Sequence, residues 1–108
     1  MISARIQEME FRHLRYFVAV ADDLSFTKAA QKLRLAQPSL TRQVRNLEDE
    51  IGVRLLERAN NRVALTEEGR RFLFDSKKLL AICAESVAAV QRMNRGEPSQ
   101  LNIGPIRR

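Results

Sequence analysis

The sequence predicts a mainly α chain: three short helices and a small β-hairpin, followed by one long helix. Three observations carry this. Apolar residues recur at helical spacing through most of the chain, and a period near two replaces it only around residues 53–65. The last periodic segment, about residues 66–93, runs for some 28 residues without a proline. At 108 residues and 12.4 kDa there is room for one small domain and little more, which makes a large enzyme with its own substrate cavity a poor fit. Hydrophobic residues at 44% suffice for a core, and 30% charged residues with no long apolar run argue against a membrane span. A single cysteine excludes an internal disulfide, and the N-terminus lacks the pattern of a secretory signal, so a cytoplasmic location is expected.

Residues 1–8 share no apolar stripe and are expected to be a poorly ordered extension ahead of a domain spanning about 9–66. Leu14, Phe17, Val18 and Ala21 fall at i, i+3, i+4 and i+7, which predicts a first helix over about 11–22 with Arg12, His13 and Arg15 outside the stripe. Ser25 then caps a short helix, about 27–34, whose inner face is Phe26, Ala29, Ala30 and Leu33. Pro38 is tolerated only in a first turn, so a third helix starts near Gln37 and stops at Gly52. Its inner stripe is Leu40, Val44, Leu47 and Ile51, and Gln37, Pro38, Thr41, Arg42 and Arg45 share the opposite side. Residues 53–58 and 62–65 read as short strands around Ala59-Asn60-Asn61, since Asn accepts the positive φ of a tight turn.

Thr66 caps the long helix, and Glu67 and Glu68 in its first turn match the positive end of the helix dipole. Leu73, Ser76, Leu80, Cys83, Val87 and Val90 follow a three-four alternation, which Phe72, Leu79 and Ile82 widen beyond one face. One side can meet its own domain and another a partner. Leu73, Leu80, Cys83, Val87 and Val90 are the residues expected at a dimer interface, with 66–94 as the dimerisation element. Residues 95–108 read as a hinge and the start of a further domain, with a lone strand over 99–104.

The second and third helices with their turn at Leu35-Ala36 form a helix-turn-helix pattern, and the following hairpin makes it winged. The exposed chemistry suits DNA. Gln can pair with adenine, Arg with guanine or phosphate, and the carbons of Pro and Thr can touch a thymine methyl. Helix starts near Thr27 and Ser39 favour phosphate, and Arg58 and Arg62 on the hairpin could reach the adjacent backbone. From Ser25 to Arg62 eight cations face four anions, so this stretch holds four of the chain's six net positive charges.

In family terms, Phe11-Arg12-His13-Leu14-Arg15-Tyr16-Phe17, Ser25-Phe26-Thr27-Lys28-Ala29-Ala30, Ala36-Gln37-Pro38-Ser39-Leu40-Thr41-Arg42-Gln43, Gly52-Val53-Arg54-Leu55-Leu56-Glu57-Arg58 and Leu65-Thr66-Glu67-Glu68-Gly69 appear in an order and spacing that resemble the DNA-binding domain of LysR-type transcriptional regulators. The resemblance covers about residues 9–95, and the opening block is most similar to members that control aromatic-compound catabolism. It implies a winged helix-turn-helix, a long linker helix paired antiparallel with that of a second subunit, and a sequence-specific homodimer reading an inverted repeat in double-stranded DNA. It implies contacts from Ser25, Thr27, Gln37, Pro38, Ser39, Thr41 and Arg42 and, on the wing, from Arg58; Arg45 and Arg62 join them on the charge argument. It also implies a small-molecule inducer bound by a further domain, no cofactor in this chain, and a tetramer and RNA polymerase among further partners. Ala36 stands where relatives often carry a capping Ser, and Arg34 fills a turn position that is often Gly.

The remaining chemistry points nowhere else. His13, off the stripe, is expected to be exposed, Cys83 to be a buried small hydrophobe, and Glu48-Asp49-Glu50 to be a solvated run. One His and one Cys on different helices cannot supply a zinc site, and no Gly-rich phosphate loop exists. No catalysis is expected. The alternatives are a helical protein-interaction module, with the basic face incidental, and a winged-helix regulator of another family.

Overall fold

Each periodic segment folds as a helix that ends at a residue with positive φ or beside a loop. The computed structural model describes residues 9–97. Helix α1 (Phe11–Asp23) ends at Leu24, α2 (Phe26–Leu33) at Arg34 and α3 (Gln37–Ile51) at Gly52, all three terminal residues left-handed. A two-stranded antiparallel hairpin, β1 (Leu56–Ala59) and β2 (Arg62–Leu65), follows, and then α4 (Glu67–Asn94).

The turn of the helix-turn-helix is closed by backbone bonds. The Leu35 N–H donates to the Ala30 carbonyl (2.9 Å) and the Arg34 N–H to that of Gln31 (3.2 Å), with Arg34 at φ 59°. This is the Schellman arrangement, which glycine adopts without steric cost and Arg34 adopts against it. Ser25 accepts from the Lys28 N–H (3.0 Å) and so caps α2, whereas α3 starts at Ala36 with no side-chain cap and relies on Pro38 in its first turn.

α1 packs across α2, α3 and α4 at once. That explains why its buried face, Leu14, Phe17, Val20 and Ala21, is wider than a single stripe and leaves the expected Val18 half-buried. Phe17, Leu40, Val44, Leu47 and Leu55 form the centre of the core, and Ile51 packs at its edge. The hairpin register sets Leu56 opposite Leu65 and Ala59 opposite Arg62. Asn60 and Asn61, at φ 53° and 62°, make the two-residue turn that matches the twist of a hairpin.

Several expectations are corrected. The first strand starts at Leu56 rather than Val53, and Ala59 belongs to it. The cause is Glu48, expected to be solvated but buried: its carboxylate accepts from the N–H groups of Leu55 (2.8 Å) and Leu56 (3.0 Å) and pairs with Arg54 (3.5 Å). His13 is buried too, taking the Glu10 N–H on Nδ1 (3.2 Å) and lying 3.0 Å from Gln43 Oε1 through Nε2. Cys83 is exposed on the single chain rather than buried within it. The segments 1–8 and 99–104, expected to be an extension and a strand, lie outside the described residues.

The junction of α4 with the domain is tight. Thr66 accepts from the Gly69 N–H (2.8 Å) and donates to the Arg54 carbonyl (2.8 Å). A Cβ on Gly69 would overlap the Leu55 carbonyl, so only glycine permits this approach. Phe72 meets Phe17 with ring centroids 5.7 Å apart, and Lys77 pairs with Asp22 at 3.0 Å. Leu73 packs against the same core, so its expected place at a partner interface is corrected to a place within its own domain.

Candidate nucleic-acid interface

The inner stripe of α3 is wholly occupied by the core, so the position of its outer face is fixed. Gln37, Pro38, Arg42 and Arg45 are exposed, with Ser39 and Thr41 half-buried between them. Gln37 donates from Nε2 to Thr41 Oγ1 across one turn (3.3 Å), which aligns two groups of opposite hydrogen-bonding capacity at the start of the helix. Arg42, Arg45 and Arg62 make no ion pair among the described residues, so their charge is open to an anion. Behind this face, His13 holds the Gln43 side chain and thereby fixes α3 against α1.

The wing is tied to the same helix by the Glu48 carboxylate. In β1 the side chain of Arg58 points the same way as that of the buried Leu56, by the period of two, and its guanidinium lies 4.2 Å from the centroid of the Phe26 ring. Burial against that ring, and then the charge of Arg45, lower the Arg58 pKa from its ordinary value, while the Glu48 carboxylate opposes the shift. The group stays cationic at neutral pH, since an arginine starts so high. A positive charge held near a second positive charge, with one flat side stacked, leaves its other donors for an incoming phosphate.

A concavity of about 550 Å³ between the start of α2, the start of α3 and the wing is lined by Ser25, Thr27, Gln37, Arg58 and Arg62. Five of the expected contact residues therefore border one surface, and Pro38, Ser39, Thr41, Arg42 and Arg45 continue along α3. Phe26, His13 and Glu48 support this surface, and nothing in their spacing pairs them with Arg58, Gln43 or the wing. No group of three or more metal-ligating side chains occurs among the described residues. No described helix is long and apolar enough to cross a membrane.

Residues 11–70 match the family described as bacterial regulatory helix-turn-helix protein, lysR family. The HTH-type transcriptional regulator BenM of Acinetobacter baylyi is 52% identical over 85 residues, which cover 79% of this chain and 28% of BenM. An uncharacterised HTH-type transcriptional regulator of Escherichia coli, YnfL, is 47% identical over 96 residues, 89% of this chain and 32% of YnfL. The chain thus spans about a third of the length of these relatives. Among solved structures, the BenM DNA-binding domain with catB site 1 DNA aligns at a TM-score of 0.78 with 51% identity, covering 80% of this chain and 96% of that one. The CbnR DNA-binding domain in complex with DNA aligns at 0.75 with 40% identity, covering 80% and 99%.

Proposed function

The chain belongs to the lysR family of bacterial regulatory helix-turn-helix proteins, and from that premise we propose that it binds double-stranded DNA sequence-specifically, as a homodimer, to regulate transcription. The observation that carries the proposal is the joining of the free face of α3 and the stacked Arg58 of the wing along one basic surface. Insertion of α3 into the major groove would set Gln37 and Arg42 against base edges, with Pro38 and Thr41 near thymine methyl groups. Ser25, Thr27 and Ser39 at the helix starts, Arg45, and Arg58 and Arg62 on the wing would take phosphates. The binding involves no chemistry on the DNA, and specificity comes from the α3 side chains while affinity comes largely from charge.

The DNA complexes of BenM and CbnR domains support the choice of partner, since this chain aligns with both over four-fifths of its length. That the whole protein responds to a small-molecule inducer and contacts RNA polymerase is part of the same proposal and is supported by the family membership. Selection of bound duplexes from a random pool tests the proposal. Recovered sequences should share two similar half-sites as an inverted repeat, and recovery of unrelated sequences would overturn it.

A further inference from the structure

Phe26 and Arg58 meet across the gap between α2 and the wing. Phe26 opens α2 directly after the Ser25 cap, and its ring belongs to the buried core, which fixes its place. Arg58 follows the buried Leu56 on the same face of β1 and stands opposite Val63, with its guanidinium 4.2 Å from the centroid of the Phe26 ring. Both residues line two concavities at once, one of about 550 Å³ that reaches Gln37 on α3 and one of about 440 Å³ that reaches Arg45 and Arg54. The stack stands where these two hollows meet.

An arginine at a surface can be held by a carboxylate or by an aromatic ring, and the two leave different things free. A carboxylate takes up N–H donors and cancels the charge, whereas a ring takes only the flat face and leaves the donors of the guanidinium edge open. Arg58 is held in the second way. It makes no ion pair among the described residues. Glu48, the buried carboxylate beside the wing, is already occupied by the N–H groups of Leu55 and Leu56 and by Arg54. The side chain is therefore fixed in place with its charge and its donors unspent.

We propose that Phe26 is a positioning residue for DNA binding: its ring holds the Arg58 guanidinium where it meets a backbone phosphate, before the DNA arrives. The proposal rests on the DNA binding of the preceding subsection and adds a residue that acts through Arg58. Ordering one flexible side chain at an interface costs about two- to tenfold in affinity, and a side chain already stacked on a fixed ring avoids that loss when DNA binds. The ring also references the wing to the helix-turn-helix. A hairpin of two four-residue strands has little rigidity of its own, and the stack fixes its arginine relative to the start of α2 and so to the outer face of α3.

A double-mutant cycle read by DNA binding tests the role of Phe26. Phe26→Leu keeps an apolar side chain in the core and removes the ring face, and circular dichroism checks that the variant stays folded. Titrated against the selected duplex and a scrambled one, it should bind both about three- to tenfold more weakly with base preference unchanged. In the Arg58→Ala background the same substitution should change affinity by less than about twofold, because the group it positions is gone. A Phe26 that serves the fold alone would cost the same in both backgrounds, so equal losses, or no loss in either, would overturn the proposal. A second measurement needs no change at Phe26. In the proton NMR spectrum of the DNA-free chain, the δ-methylene signals of Arg58, assigned by their absence from Arg58→Ala, should be moved upfield of those of the other arginines by the ring beneath them. Ordinary positions would show that the stack is not formed before DNA binds and would overturn the proposal even where Phe26→Leu fails to fold. Failure of the unsubstituted chain to bind any duplex would overturn the proposed function, whereas binding without coupling between Phe26 and Arg58 would overturn only the role given to Phe26.

Discussion

Glu48 holds the wing by giving up its hydration. Its buried carboxylate satisfies two backbone N–H groups that no strand partner reaches and sets the hairpin against α3. Glu48→Ala would leave both donors buried and unpaired, for an expected loss of about 2–4 kcal/mol in chemical denaturation. A loss below about 0.5 kcal/mol would show that water replaces the carboxylate. The two kinds of arginine at the surface should separate by their signatures. Gln37→Ala or Arg42→Ala should cost about 1–3 kcal/mol on the preferred duplex and relax base preference. Arg58→Ala should weaken all duplexes alike and lower the salt slope by about 1 if its guanidinium, stacked on Phe26, meets phosphate as proposed. Binding isotherms at several salt concentrations distinguish these outcomes.

At the level of elements, the helices were legible in the sequence because burial of one face imposes the period of 3.6, and caps at Ser25, Thr66 and Gly52 mark their ends. The residues of the candidate interface were legible for the complementary reason: the face of α3 left over by its core stripe can only point outward. What the sequence hid was tertiary. His13 is buried because Gln43, thirty residues on, supplies a partner, and β1 starts late because a carboxylate of α3 takes its first N–H groups. The two faces of α4 share one long apolar pattern, and only the packing of Leu73 on the core separates them. The junction between hairpin and α4 is the least tolerant of these contacts. Gly69→Ala should destabilise the chain by about 1–3 kcal/mol, since the added methyl meets the Leu55 carbonyl and the backbone must shift. Thermal unfolding reads this directly, and an unchanged midpoint would show that α4 can move away from the hairpin.

The described residues join a winged domain to a helix that is mostly uncovered on the single chain. Exposed Leu79, Ile82, Val90 and Met93 would be a liability in a monomer, and they are accounted for if a second copy covers them. Two winged domains on one rigid helix pair would convert weak half-site binding into tight binding of an inverted repeat, because the second contact is made within the complex. The most direct test is a titration of the chain against three duplexes of equal length: the selected inverted repeat, the same duplex with one half-site scrambled, and one with both scrambled. The account predicts that the full repeat binds at least about 10³-fold more tightly than the doubly scrambled duplex, with the half-site duplex between them. Equal affinity for all three would contradict it.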